Sequence, residues 1–313
     1  MKTRLAGFAL ASLFVVAAPA AAVTTDCDRA CLETLADRYV DALVARDPTR
    51  LPLAETIRFT ENGQDMPIGE ALWRTASAKG KYRLVVADVE TGQIGYMGTI
   101  IENGVPAILS FRLKQVGGRI TEVEQMVNRS AERAERVQAQ SLDPIYLAPV
   151  PVAKRMSRDE LIRIANLYFE TVEDGKASVN APFAVDCERV ENGRKTTNNP
   201  TMAAQERAKG QYSNADQSCA AQFQSGFYKF VTGARERRFP IVDLERQIVY
   251  SFVFFDHRGD LHEIKLNDGT VVPMGLKTPF TWHMAELFRI EDGKIRRIEA
   301  QLYQAPYKMK SGW

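Results

Sequence analysis

The chain repeats itself in order, and no other property of the sequence restricts its fold as strongly. The segments "LADRYVDALVARD" (35–47) and "IANLYFETVEDGK" (164–176) bring Ala36 onto Ala165 and Tyr39 onto Tyr168, an offset of 129. Pro52 then meets Pro182, and Glu61-Asn62-Gly63 meets Glu191-Asn192-Gly193, at 130. Farther on, Gln93-Ile94 and Tyr96 match Gln247-Ile248 and Tyr250 at 154, and "GRITEVEQMV" (118–127) aligns with "GKIRRIEAQL" (293–302) at 175. Weak matches kept in one order, with a growing offset, mark a duplicated unit that carries insertions in its second copy.

Each copy opens with apolar residues at helical spacing: Leu32, Leu35, Ala36, Tyr39, Val40 and Leu43, then Leu161, Ile164, Ala165, Tyr168, Phe169 and Val172. Ser157 with Glu160 three residues on predicts a capping box at the second helix. After the Glu-Asn-Gly turn the pattern predicts a shorter helical segment (68–78 and 219–232). Strands rich in β-branched and aromatic residues follow, at 82–90, 94–102, 105–116 and 119–127, matched by 239–243, 247–256, 280–290 and 294–303. Turns at "ENGVP", "VGGR", "NDGT" and "EDGK" predict hairpins. Helices first and a meander afterwards is an α+β plan, with one curved antiparallel sheet wrapped around a long helix. The boundaries read as 23–140 for the first unit, 141–155 for a linker and 156–313 for the second.

Residues 1–22 have the order of a cleavable secretory signal: Lys2 and Arg4, an apolar run from Leu5 to Ala18, then Pro19 and three alanines. The apolar run is shorter than the roughly 20 residues that span a bilayer, so no membrane anchor is expected after cleavage. Removal of the two basic residues leaves 39 Lys and Arg against 39 Asp and Glu. That balance argues against nucleic acid or an anionic membrane as partner, since both are held by an excess of basic side chains. Export to the periplasm or the exterior makes disulfides the expected use of the four cysteines, and sequence distance favours Cys27 with Cys31 and Cys187 with Cys219.

The order helix, short strand, helix, long meander, closed by the "DGKI..IEAQ" hairpin, resembles the SnoaL-like branch of the nuclear-transport-factor-2-like superfamily. The resemblance covers most of both copies and rests on this diffuse pattern. It implies two tandem cone-shaped α+β-barrel domains, each with a pocket between its concave sheet and its helices. Enzymes of that superfamily include ketosteroid isomerases, scytalone dehydratase and polyketide cyclases, alongside members that only bind or scaffold. In "QIVYSFVFFDH" (247–257) both alternating sets are apolar, Ile248, Tyr250, Phe252 and Phe254 against Val249, Val253 and Phe255. Antiparallel strands with one wet face alternate apolar with polar residues. Both faces are therefore expected to be buried, one in its own unit and one against the other copy in a pseudo-twofold pair, or against a further copy of the chain in a homo-oligomer.

All three histidines, His257, His262 and His283, lie in the second copy, and so does the aromatic density of "FQSGFYKF" and "FVFFDH". The second copy is therefore the expected site of chemistry. A neutral imidazole can take a proton, a carboxylate or tyrosine can orient it or act as the acid, and apolar walls shift their pKa values. The expected catalytic set is His283, His257, Asp256, Tyr168 and Tyr250. Adjacent strand residues point to opposite faces, so Asp256 and His257 are not expected in one pocket, and His283 ranks above His257. Trp282, Phe254 and Phe227 are expected to wall a small hydrophobic, aromatic substrate, and Asn198 and Asn199 to stand in a loop at its mouth. Glu299 reads either as a general base or orienting carboxylate or, with its counterpart Glu124 and beside Arg296 and Arg297, as part of a surface ion-pair ladder, and the run Arg235, Arg237 and Arg238 reads either as a hold for an anionic substrate or, next to Glu236, as a solvated face. Asp256 to Glu263 match no metal-ligand template, and no GxSxG elbow, Walker loop, GxGxxG or CxxC motif is present. The expected chemistry is proton transfer without a cofactor, as elimination, dehydration or isomerisation; the alternative reading is a non-catalytic periplasmic ligand-binding or assembly module whose pocket is a filled core.

Overall fold

The computed structural model describes residues 27–174 and 181–313; the signal sequence read at 1–22 lies outside them. Helix α1 (Arg29–Ala45) starts where the Asp28 carboxylate accepts from the Cys31 amide at 2.9 Å, with the Cys27–Cys31 disulfide closing the same turn. The strands of the first unit are β1 (Leu53–Glu61), β2 (Gln64–Asp65), β3 (Ala76–Asp88), β4 (Gln93–Glu102), β5 (Val105–Val116) and β6 (Arg119–Asn128), with a single turn of helix, α2 (Leu72–Thr75), before β3. Helix α3 (Ala131–Gln138) leads out of this unit. Helix α4 (Arg158–Asp174) then opens the second, its capping box formed by reciprocal Ser157 and Glu160 hydrogen bonds.

The second unit continues with β7 (Phe183–Glu191), β8 (Arg194–Lys195), α5 (Pro200–Ala208), α6 (Cys219–Gln224), β9 (Gly233–Asp243) and β10 (Ile248–His257). A two-stranded ribbon, β11 (Glu263–Lys265) with β12 (Val271–Pro273), precedes β13 (Phe280–Glu291) and β14 (Lys294–Ala305). The two large sheets have the same strand order, β2-β1-β6-β5-β4-β3 and β8-β7-β14-β13-β10-β9.

Two expectations change. The sheets are mixed, because β1 lies parallel to β6 and β7 parallel to β14. The expected helix at 68–78 shrinks to one turn, since β3 begins at Ala76. The register also moves one match of the repeat. Phe111 pairs with Gln125 and with Tyr96, as Glu286 pairs with Ala300 and with Ser251, so Tyr96 corresponds to Ser251 and Tyr250 to Gly95. With a side-chain period of two, that slip of one residue reverses the face.

One face of each sheet is covered by its long helix. Tyr39 packs against Phe111 and Trp73 in the first unit, and Tyr168 against Phe288 and Phe223 in the second. The other faces meet each other. Tyr82, Leu84, Val86, Met97 and Met126 of the first sheet form one buried cluster with Ile241, Ile248, Tyr250, Phe252 and Leu287 of the second. Both faces of β10 are thereby buried, each of its ten residues among them. Near this contact the ion pairs are reciprocal: Arg29 holds Asp243, and Arg158 holds Asp88, each at 2.6 Å. Exchange of equivalent partners in this way is the pattern of an isologous contact.

The chain ends are exchanged too. Helix α3 crosses the Glu191-Asn192-Gly193 turn of the second unit so closely that a Cβ on Gly193 would lie 2.6 Å from the Val137 amide nitrogen. The C-terminal tail crosses the Glu61-Asn62-Gly63 turn of the first unit, with Lys310 O 3.0 Å from the place of a Gly63 Cβ and the Trp313 ring stacked by Arg58 and Arg112 at about 4.1 and 4.2 Å. The repeated tripeptide is thus a turn over which the other unit's C-terminal segment passes. Glycine at φ +77° or +78° supplies both the left-handed turn and the missing side chain.

Candidate functional site

A cavity of about 320 Å³ opens in the second unit, on the helix-covered face of its sheet. Tyr168 from α4, Arg189 and Glu191 from β7, and Trp282 and Met284 from β13 form its wall. Phe227, Tyr228 and Phe230 add an aromatic side, and the insertion after β8 supplies Met202, Glu206 and Tyr212. The Cys187–Cys219 disulfide ties β7 to α6, just before that aromatic side. The insertion expected as a loop at the mouth is therefore a wall containing α5.

The polar groups are concentrated on β7 and β13. Strand alternation puts Cys187, Arg189 and Glu191 on one face and continues Trp282 and Met284 to Glu286. The Arg189 guanidinium stands over the Tyr228 ring at 4.9 Å, donates from Nε to the Thr196 hydroxyl at 3.1 Å, and lies 3.5 Å from Glu191. Glu286 is fully buried and neither carboxylate oxygen has a well-formed hydrogen bond. Burial pushes its carboxyl up to about 8, and nearby Glu191 adds to the shift; Tyr168 and Arg189 pull partly the other way. Glu286 is therefore mainly a neutral acid at pH 7. The Tyr168 hydroxyl, held well above its ordinary range by burial and by Glu286, is a hydrogen-bond donor rather than a phenolate.

Of the residues expected to act, the cavity gathers Tyr168, Trp282 and Phe227. Neither His283 nor His257 is among the residues that line it. His283 pairs with Phe254 on the face turned away from the cavity, where it stacks on that ring at 4.5 Å and its Nδ1 meets the Tyr303 hydroxyl at 3.2 Å. His257 is on the cavity's face but is packed between Phe280 (4.4 Å) and Trp282 (4.3 Å), with no hydrogen-bond partner on either nitrogen. Burial lowers His257 to about 4 and His283, with Arg238 and Arg235 nearby, to about 3. Asp256 is saturated by Arg235, Lys308 and Thr281 at 2.9, 2.7 and 2.6 Å; burial opposes its ionisation, and these partners outweigh that to hold it below its usual range.

Tyr250 donates across the sheet contact to the Tyr96 carbonyl at 3.0 Å, and Phe254 lies under Arg235 at 4.7 Å, both away from the cavity. Asn198 donates to the Cys187 carbonyl, and Asn199 caps α5 by accepting from the Met202 amide at 3.1 Å, so both serve the backbone. The arginine run is paired rather than solvated, Arg235 with Asp256, Arg237 with Glu173 and Arg238 with Glu124. Glu299 is not in a surface ladder. It is buried between the sheets, accepts from the Tyr82 hydroxyl at 2.8 Å, and is pushed up to about 7 by burial. Among the described residues no group of three or more His, Cys, Asp or Glu side chains is arranged to hold a metal ion. None of the described helices is long and apolar enough to cross a membrane.

The family model of a domain of unknown function, DUF8021, matches residues 154–302. That span contains the residues that line the cavity and the second sheet except for the end of β14. No curated protein matches the chain. Two solved structures are similar over part of it. One is a de novo designed protein with a curved β-sheet, 14% identical with a TM-score of 0.27, over 47% of this chain and 88% of that one. The other is AclR, a putative hydroxylase from Streptomyces galilaeus, 15% identical with a TM-score of 0.25, over 46% of this chain and 90% of that one. Similarity this slight carries no conclusion about activity.

Arg189, Glu191 and Glu286 escaped the sequence reading. For Glu286 a signal exists: in "FTWHMAELF" it occupies the alternate position after Trp282 and Met284 and before Phe288, a lone carboxylate on an otherwise apolar face. Arg189 stands likewise between Cys187 and Glu191, two positions from a cysteine expected to be buried in a disulfide.

Proposed function

We propose that the chain is an exported acid–base enzyme of the lyase, dehydratase or isomerase type, built as two tandem nuclear-transport-factor-2-like cones, and that it works on a small hydrophobic molecule in the second copy. The observation that carries this reading is Glu286, a buried carboxyl with no well-formed hydrogen bond, lying behind the cavity-lining Tyr168. Structural carboxyls in a core are paired, whereas a carboxylic acid kept neutral near pH 7 can supply a hydrogen bond to a developing oxyanion.

In this scheme the substrate's ring lies among Phe227, Tyr228 and Trp282, and its carbonyl oxygen accepts from the Tyr168 hydroxyl, which Glu286 backs as a second donor. Glu191 takes the proton from the adjacent carbon. Return of that proton to a different carbon completes an isomerisation; in a dehydration the β-hydroxyl leaves as water with a proton from the Tyr168–Glu286 chain, and exchange with solvent moves the proton held by Glu191 back to that chain. Export to the periplasm or the exterior is supported by the two disulfides.

The test is proton exchange. The mature chain is incubated in deuterated buffer with a panel of small aromatic and alicyclic ketones and β-hydroxy ketones, followed by proton NMR. Site-specific exchange or turnover is expected, reduced by a factor on the order of 100 or more in Glu191→Gln, as for loss of a general base, and sharply in Tyr168→Phe. Ligands that bind without exchange in the wild type would replace this reading with that of a periplasmic binding or assembly module.

A further inference from the structure

A second cavity, of about 300 Å³, adjoins the first. Glu191, Arg194, Trp282 and Leu302 line both, so these four residues stand at the junction. The far wall comes from α3, which presents Glu132, Arg133 and Arg136. This helix leaves the first sheet, and its seat over Gly193 fixes it against the second unit. The second cavity is therefore completed by a segment from outside the fold that holds the first.

The charges of this chamber do not cancel internally. Glu191 is engaged by Arg189, Glu132 by Arg136, and Arg194 by Glu206 from the first cavity's wall. Arg133 lines the cavity and makes no ion pair among the described residues, while Arg136 lines it with one guanidinium nitrogen on Glu132. An uncompensated guanidinium with a second one a turn away on the same wall is a receptor for a planar anion, since the guanidinium fork matches a carboxylate in two-point geometry.

Resting on the acid–base reading of the first cavity, we propose that the second chamber is an anion subsite: the substrate is an amphipathic carboxylate whose apolar head enters the aromatic chamber and whose carboxylate tail is held by Arg133 and Arg136. Placing the tail outside the aromatic chamber keeps a full charge away from Glu286. It also gives the chain a use for its tandem arrangement, because a detached second unit would lack α3.

The experiment uses the mature full chain and two matched probes, naphthylpropanoate and its primary amide, titrated by calorimetry at low salt. The carboxylate is expected to bind about tenfold more tightly than the amide. In the Arg133→Gln/Arg136→Gln double variant that preference is expected to fall to within about twofold, with the amide's affinity unchanged, because the two side chains act only on the tail. Both lie on one turn of a helix and make at most an exposed i,i+4 pair, so folding is expected to survive, checked by an unchanged Tm. Equal affinities in the wild type, or a preference that survives the double variant, would overturn the anion subsite alone. A carboxylate preference without any proton exchange in the ketone panel would instead overturn the acid–base reading and leave the subsite standing. Binding of neither probe would overturn the anion subsite and leave the acid–base reading to the ketone panel.

Discussion

Replacing Glu286 with glutamine isolates the group on which the functional reading depends. The folded protein holds this carboxyl at about 8, against 4.5 for an ordinary glutamate. Between those values the native state carries a proton that the unfolded state has released, so stability falls as pH rises through the window and levels off above pH 8. With about 1.4 kcal/mol per pKa unit, the wild type is expected to lose on the order of 4 kcal/mol between pH 5 and pH 8.5 through this one side chain. Glutamine has the same shape and no titration. Glu299, pushed up to about 7, contributes a loss of the same sign, but it is present in both proteins and cancels in their difference. Urea unfolding of wild type and Glu286→Gln at pH 5, 7 and 8.5 reads that difference directly. The variant is expected to be equal to or weaker than the wild type at pH 5 and more stable at pH 8.5. A stability difference constant across the three pH values would refute the reasoning, for it would mean that Glu286 titrates in the ordinary range and that water reaches it.

The acid limb should be governed by the histidines. His257 is held neutral down to about pH 4, so below pH 6.5 the unfolded state binds a proton that the native state refuses, and stability falls as pH drops; His257→Phe should remove about 2 kcal/mol of the loss between pH 7 and 4.5, read by calorimetry at both values. Conversion of Cys187 and Cys219 to serine opens a loop with a sequence separation of 32 and is expected to cost about 3–4 kcal/mol, whereas the same change at Cys27 and Cys31 should cost clearly less, compared by the shift in urea midpoint. Gly95→Val pushes a side chain against the Tyr250 ring and Ile241, each already 3.1 Å from the place of its Cβ, and should destabilise the packing of the two sheets by about 1–3 kcal/mol in thermal unfolding.

Much of the architecture was legible because it is written in periods. The helical spacing from Leu32 to Leu43 and the capping box at Ser157 are local signals, and all four meander strands of each copy overlap those observed. The parallel pairing of β1 with β6 was not legible, since it joins residues as far apart as Glu61 and Gln125 and no turn announces it. The faces of β10 were assigned correctly by alternation, yet the match of Tyr96 to Tyr250 was off by one residue. Alternation separates Asp256 from His257, which ranks His283 first, and the same alternation separates His283 from Trp282, so only one of those two can face the cavity. Glu286 is legible only by alternation, its neighbours at alternate positions being Met284 and Phe288.

The two copies differ where register makes their residues equivalent, and the differences are of one kind. Phe59 pairs with Val123 as Arg189 pairs with Ile298, and Phe111 pairs with Gln125 as Glu286 pairs with Ala300. Two aromatic rings of the first unit thus stand where the second has a guanidinium and a carboxyl, around a tyrosine, Tyr39 or Tyr168, that both retain. The shared glutamate is treated differently as well. Glu61 is saturated by the Leu72 amide, Gln125 and Arg129, and Tyr39 donates to that same Gln125 at 2.7 Å, so the carboxylate and the tyrosine hydroxyl of the first unit both have partners within the protein. Glu191 has a single long contact to Arg189 and lines a cavity. Evenly shared function would not produce that asymmetry. The second core has exchanged two rings for a carboxyl without a well-formed hydrogen bond and a buried guanidinium, and departures from local packing rules of this kind are where a site rather than the fold is expected.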